Sequence, residues 1–354
     1  MQDPVVQAAL AHAFKQIPLP AGRGLWLNCA PLASADAYSP WFSSLQAGAG
    51  FECKAHCSLD TLEQAYDYVV LSATKQVSES AGLLALALQR SKGFVIAVAA
   101  KDAGGGRLAD MLQSYGVNFA ELSKNRCRVV WTFDALSADK GLIAKNLSHL
   151  SARLVTIDGA HWWSVPGLFG WDKIDLGSKL LLQHLPQDLK GEVADFGCGY
   201  GYLSKHLAER ADITKVDAVD ADARAVDLAV RNGGGKVHPV WKDIRKLNAA
   251  AVYDAIVMNP PFHSGKQEDI DLGETFIRKA WESLKPRGRL FFVANRQLPY
   301  EKIVPGLNIL HEGDGFKIIT GVKMKPAHVK PDEMTRDDGK PAHVKLSRST
   351  RSAS

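Results

Sequence analysis

Asn259-Pro260-Pro261-Phe262 closes the apolar run Tyr253-Asp-Ala-Ile-Val-Met258, and its groups suit a planar exocyclic amine. The Asn259 amide oxygen and the Pro260 carbonyl can each accept one N–H of an –NH₂ group, while Phe262 offers a face for the attached ring to stack on. The arrangement predicts methyl transfer to a nucleobase-like amine. The same four residues also read as an ordinary turn beside a core phenylalanine, because Asn-Pro pairs punctuate loops.

A second element some sixty residues upstream narrows the choice. Glu192-Val-Ala-Asp-Phe196 runs into Gly197-Cys-Gly-Tyr-Gly201 and then the amphipathic stretch Tyr202 to Arg210. Gly197, Gly199 and Gly201 let the backbone pass close under a ligand and leave a helix N-terminus facing it. The next strand, Lys215-Val-Asp-Ala-Val219, ends at Asp220, where a carboxylate would hydrogen-bond both hydroxyls of a ribose. A nucleotide-type ligand fits this order.

Asp195 and the Asp-x-Gly-x-Gly-x-Gly loop resemble the first motif of class I methyltransferases, with no pyrophosphate arginine in view. The resemblance implies S-adenosyl-L-methionine rather than a dinucleotide. Val237-His-Pro-Val-Trp241 reads as a third strand, and Asp243 follows it where such enzymes accept a hydrogen bond from the adenine amine. A helix N-cap is the other reading of Asp243.

These motifs need a scaffold, and the chain supplies one. A helix from about Asp269 to Leu284, a break at Lys285-Pro-Arg-Gly288, a strand from Arg289 to Ala294 and a hairpin of Leu307–His311 with Phe316–Val322 complete the domain. Strands alternate with helices, so the fold class is α/β with a doubly wound, mostly parallel sheet and a C-terminal antiparallel hairpin; the glycine loop and Asn259–Phe262 fall on its carboxyl edge.

From Phe169 to Val322 the chain resembles the ribosomal RNA guanine-N2 methyltransferases of the RsmC/RlmG type. The resemblance is carried by Leu168-Phe-Gly-Trp-Asp-Lys-Ile-Asp-Leu-Gly-Ser-Lys-Leu-Leu-Leu182, Asp195 to Gly201, Asn259-Pro-Pro-Phe-His263, and Val293-Ala-Asn295 followed by Leu298-Pro-Tyr300. It implies that Phe169, Asp175 and Gly177 shape the methionine end of the cofactor, with Asp175 alternatively a plain helix N-cap. It also implies a guanine of ribosomal RNA as substrate, with length leaning toward the small subunit (16S) rather than 23S.

The 354 residues exceed one such domain. Tyr66-Asp-Tyr-Val-Val-Leu71, Lys75-Gln76 and the helical Ser80–Gln89 echo Tyr253–Met258, Lys266-Gln267 and the helix after them; Gly93–Val98 parallels Gly288–Val293, and Val117–Leu122 with Arg126–Trp131 parallels the final hairpin. Two tandem Rossmann-like methyltransferase domains are expected, over residues 1–155 and 165–323, with residues 324–354 a flexible basic tail. The first copy is degenerate: Ser72-Ala-Thr-Lys75 replaces Asn-Pro-Pro-Phe, and Gly24-Leu-Trp-Leu-Asn28 runs into Cys29-Ala-Pro31 rather than glycines. It should neither bind cofactor nor transfer a methyl group, leaving substrate engagement or stabilisation of its partner domain.

A charge of +5 and a pI near 8.8 are milder than those of a dedicated nucleic-acid module, so RNA contact must be local. Five cysteines, no signal peptide and no apolar span near 20 residues point to the reduced cytoplasm and no membrane. Cys53-x-x-His56-Cys57 lacks a second ligand pair, so no metal is expected; Cys198 offers a small side chain rather than a nucleophile, and a monomer is expected. Methylation of adenine, or of glutamine in a protein, and a non-catalytic RNA-binding protein that keeps the fold remain the alternatives.

Overall fold

The computed structural model describes residues 4–29, 35–38, 53–56, 59–62, 65–248, 250–261 and 267–324. Two seven-stranded sheets share one strand order. In the first, β1 (Gly24–Leu27) lies between β2 (Ala35–Tyr38) and β4 (Tyr66–Ser72); β3 (Cys53–His56) lies beyond β2, and β5 (Ser91–Ala100) follows β4, all parallel. β7 (Cys127–Thr132) pairs antiparallel with β5 and carries β6 (Ala120–Lys124). An antiparallel hairpin of β8 (Arg153–Ile157) and β9 (Ala160–Ser164), absent from the sequence expectations, leads to the second sheet.

There the order repeats. β10 (Gly191–Phe196) lies between β11 (Ile213–Asp220), with β12 (Val237–Trp241) beyond it, and β13 (Tyr253–Met258), with β14 (Leu284–Asn295) following in parallel. β16 (Phe316–Val322) and β15 (Leu307–Gly313) close the sheet antiparallel. The order reverses between β10 and β13, and the crevice beyond their carboxyl ends is where a doubly wound sheet takes its ligand.

The duplication extends to side chains. Asp67 accepts from the Arg23 backbone at 2.7 Å and from Lys92 at 2.8 Å; Asp254 accepts from the Glu192 backbone and from Lys285, each at 2.9 Å. Pairing of Leu27 with Leu71 and of Phe196 with Met258 sets the two copies in register, with Trp26 opposite Asp195 in the repeat and Ser72 opposite Asn259. Trp26 is fully buried and meets Phe14 edge-on, 5.9 Å between ring centroids, so an indole occupies the place of a carboxylate in the first copy. Cys29, in the first copy's loop, is buried with its thiol directed at the Leu27 and Val70 carbonyls, and burial pushes its pKa up to about 12.

Lys285-Pro-Arg-Gly288 was expected as a break before the strand; it lies within β14 instead. Tyr253 pairs with Leu284 and Ala255 with Arg289, so the four residues bulge out of the ladder, with Arg287 left-handed at φ 70°. The first copy has the shorter equivalent between Ser91 and Phe94. Each sheet is covered on both faces: one large apolar cluster fills the second domain, and two clusters lie on opposite faces of the first. Of the 324–354 segment only Met324 falls within the described residues.

Candidate cofactor and base-binding site

At the carboxyl ends of β10, β11 and β13 a cavity of about 350 Å³ opens. Its floor is the glycine loop. Gly197, Gly199 and Gly201 all take left-handed backbone, φ 80°, 52° and 90°, a conformation that β-carbons resist. A Cβ on Gly197 or Gly199 would meet nothing nearer than 3.6 Å, so those two leave open space for a ligand; on Gly201 it would lie 2.5 Å from the Cα of Ala229. Gly201 therefore serves close packing of the Tyr202–Ala208 helix on Ala223–Gly233 rather than lining the cavity.

Two carboxylates hold the loop from beneath and beside it. Asp195 is buried and accepts from the Ser204 hydroxyl at 2.7 Å, while its Oδ1 has no partner among the described residues. Burial pushes its pKa up to about 7, against the Ser204 bonds. Asp220 accepts from the backbone N–H of Gly199 at 3.1 Å and of Asp222 at 2.9 Å, which aims the end of β11 at the loop. Burial raises it to about 6; the Asp222 and Gly199 N–H groups oppose that rise and the Asp222 charge adds to it. Burial holds the Cys198 thiol well above its ordinary value, so it stays protonated and is no nucleophile.

Asn259 stands at the end of β13, on the cavity wall. Its Nδ2 donates to Asp175 at 2.7 Å and to Ser178 at 2.8 Å, and its Oδ1 is buried without a partner among the described residues. The orientation follows from chemistry: turned over, the amide would set its oxygen against an ionised carboxylate that can only accept. What remains is an acceptor held in a fixed orientation.

Asp175 is the N-cap of the Leu176–His184 helix, accepting from Ser178 N–H at 2.8 Å, and it also lines the cavity. Gly177 does not line the cavity; its hydrogens face Val293 and Phe316, where a Cβ would come within 3.3 Å, so it seats that helix on the sheet. Asp243 lines the cavity and caps a short 3₁₀ turn, accepting from the Arg245 backbone at 3.0 Å and from its guanidinium at 2.8 and 2.6 Å. Phe169 stands half-exposed at the rim. Pro261 lines the cavity and Pro260 is buried behind it; Phe262 and His263 lie outside the described residues. So do Cys57 and the side chains of Cys53 and His56.

Sequence reasoning missed Ser178 and Ser204, the hydroxyls that orient Asn259 and Asp195. Ser178 sits inside the Asp-x-Gly-Ser stretch, so the motif held its signal; Ser204 had none beyond its place in a helix. Leu272 and Phe276, from the Gln267–Ser283 helix, supply apolar wall.

The cavity's charge decides among nucleotides. Asp175, Asp195, Asp220, Asp222 and Asp243 line it, with Asp243 paired to Arg245 and Asp222 to Arg224, against Lys173. That potential repels a pyrophosphate and attracts a cation bearing ribose hydroxyls. The partnerless Asp195 Oδ1 and the open floor over Gly197 and Gly199 fit a ligand pressed against the loop.

Comparisons with known proteins agree with this geometry. The family described as methyltransferase small domain matches residues 160–320. An Acinetobacter baumannii protein named ribosomal RNA small subunit methyltransferase C is 31% identical over 278 residues, 75% of this chain and 82% of that protein. A Psychromonas ingrahamii protein of the same name is 38% identical over 168 residues, 44% of this chain; that match spans about half, 47%, of the relative's length. A solved Thermus thermophilus 16S rRNA N2 methyltransferase, in complex with AdoMet and guanosine, superposes with a TM-score of 0.73 at 24% identity, covering 91% of this chain and 92% of its own, and so shares the tandem fold.

Proposed function

We infer that this chain, which belongs to the ribosomal RNA small subunit methyltransferase C family, transfers a methyl group from S-adenosyl-L-methionine to the exocyclic N2 of a guanine in 16S ribosomal RNA. The observation that carries the reading is the cavity-lining Asn259, its amide locked by Asp175 and Ser178 and its oxygen without a partner among the described residues. The names of the relatives and the guanosine bound in the Thermus structure support the choice of base and subunit. A non-catalytic protein would have no use for that acceptor, and the first copy, with Ser72 and Trp26 in the corresponding places, displays the form such a fold takes without one.

S-adenosyl-L-methionine supplies an electrophilic methyl group on a sulfonium. Residues here would hold it: Asp220 the ribose, Asp243 the adenine amine, the Gly197–Tyr200 backbone and Asp195 the loop-side groups, Phe169 and Asp175 the methionine end. Guanine N2 is poorly nucleophilic because its lone pair is delocalised into the ring. Accepting one N–H at Asn259 Oδ1 and the other at the Pro260 carbonyl favours the pyramidal amine with its lone pair turned toward the cavity. The motif gives Phe262 the part of stacking on the base, a contact worth roughly 1–3 kcal/mol. Orientation of this kind can contribute on the order of 7–11 kcal/mol. No strong general base is needed, since the alkylated amine loses its proton readily to water.

No helix among the described residues is long and apolar enough to cross a membrane. The enzyme acts in the cytoplasm, as a monomer, on RNA within the small subunit, with residues 1–155 as a degenerate partner domain and residues 165–323 as the catalytic one. The test is incubation with methyl-labelled S-adenosyl-L-methionine and, separately, small and large ribosomal subunits lacking guanine-N2 methylation. N2-methylguanosine in small-subunit RNA is expected; label in adenine, protein or the large subunit overturns the assignment.

A further inference from the structure

The two domains meet at a buried ion network that reaches the cavity. Glu79, on the Val77–Arg90 helix of the first domain, is 4% exposed and accepts from Arg224 Nη1 at 2.7 Å. Arg224 also donates to Asp222 from Nη2 at 2.7 Å and from Nε at 3.1 Å. Asp222 lines the cavity, caps the Ala223–Gly233 helix, and gives its own N–H to Asp220. The same carboxylate lies against Gly167, where φ is 107° and a Cβ would fall 2.4 Å from Glu79 Oε1. Gly167 begins the Gly167-Leu168-Phe169 rim of the same cavity.

One carboxylate from the degenerate domain thus touches both walls of the site in the other. We propose that Glu79 is a positioning residue for the cofactor: it fixes Arg224, and through it the Asp222–Asp220 turn, while buttressing the Gly167–Phe169 rim. The charges require a third party in this place. The Asp222 charge bears on Asp220 beside it, and the Arg224 guanidinium, bonded at once to Asp222 and to Glu79, offsets that charge and holds the turn's geometry. The first domain, having lost its own site, contributes here to its neighbour's.

The proposal rests on the cavity being the S-adenosyl-L-methionine site. Its test is calorimetric titration of that cofactor into the full chain and into Glu79→Ala, Glu79→Gln and Arg224→Ala, and into the double variant of Glu79→Ala with Arg224→Ala. Glu79→Ala should raise the cofactor dissociation constant about tenfold, within the range seen for residues coupled to a site by contact, with kcat at saturating cofactor little changed. Glu79→Gln, which keeps the acceptor and the shape against Gly167, should recover most of the loss, an effect general destabilisation would not produce. The double variant should be weaker than Arg224→Ala by less than the Glu79→Ala loss alone, since the two share the Arg224 route and only the support of the rim is left to lose. Unchanged affinity in a folded Glu79→Ala, or equal losses in the alanine and glutamine variants, overturns the proposal. Absence of binding by the unaltered chain removes the reading of the cavity and this inference with it.

Discussion

Asn259 is a residue whose value lies in the atom left over. Both amide hydrogens are committed to Asp175 and Ser178, so the side chain cannot rotate to satisfy its own oxygen, and a substrate amine is the natural partner. Asn259→Ala should lower kcat about 10²- to 10³-fold, the cost of losing one transition-state hydrogen-bond partner, while the cofactor dissociation constant moves little; equal loss of both, measured by single turnover and titration, would make Asn259 structural. Asp220 and Asp195 give a pH signature. Each carboxylate is raised by burial, from 3.8 to about 6 and about 7, so the native chain binds more protons than the unfolded one between those limits. Apo stability from these groups is therefore greatest below 3.8 and falls as pH rises toward 7. Under the proposed binding mode cofactor binding runs the other way, since an ionised carboxylate is the stronger acceptor for ribose hydroxyls. The rise in melting temperature caused by S-adenosyl-L-methionine should grow from pH 5.5 to 7.5 and lose most of that slope in Asp220→Asn; a flat profile in the unaltered chain would show that neither carboxylate titrates at the site.

At the scale of elements, the glycine loop separates two duties that its sequence spacing presents as one. Gly199→Ala meets only the Phe169 carbonyl, in ordinary contact at 4.0 Å, and should cost only the left-handed backbone, about 1–2 kcal/mol, yet it intrudes on the cavity and should weaken cofactor binding. Gly201→Ala adds a collision with Ala229 and should cost about 2–5 kcal/mol of stability, summing overpacking with the same backbone term. Urea midpoints check the difference, and the ordering fails if Gly201→Ala is the milder. Local periodicity explains what was legible beforehand. Val237–Trp241 and Phe316–Val322 are strands over the expected residues because apolar, β-branched runs announce themselves. β2, β3 and the β8–β9 hairpin went unforeseen, being short segments such as Ala35-Asp-Ala-Tyr38 whose strand character comes from the neighbour they pair with. The Pro286-Arg287 insertion looked like an end to structure, whereas the ladder resumes four residues on. Asn259, Asp220 and the glycines could be placed from motif spacing; Ser178 and Glu79 act on partners 81 and 145 residues away, a separation that no local pattern encodes.

For the whole molecule, duplication followed by loss has left two copies that agree wherever the fold is at stake and differ wherever chemistry is. The Asp67–Lys92 and Asp254–Lys285 pairs, at matching places on the amino edges of the two sheets, hold the same turns in both copies. At the carboxyl edge the correspondence ends: Trp26 replaces Asp195, Ser72 replaces Asn259, and the buried Cys29 thiol is tied to carbonyls of its own sheet. A fully buried indole is far larger than the carboxylate it replaces, and it removes both the charge and the space a cationic ligand needs. The chain should consequently bind a single S-adenosyl-L-methionine. Calorimetry should saturate at one equivalent per chain, and Asp220→Asn should reduce that one isotherm with no second, weaker site emerging beneath it. A stoichiometry of two would mean that the first sheet keeps a usable crevice despite Trp26, and the degenerate copy would then have to be reread as a second binding site.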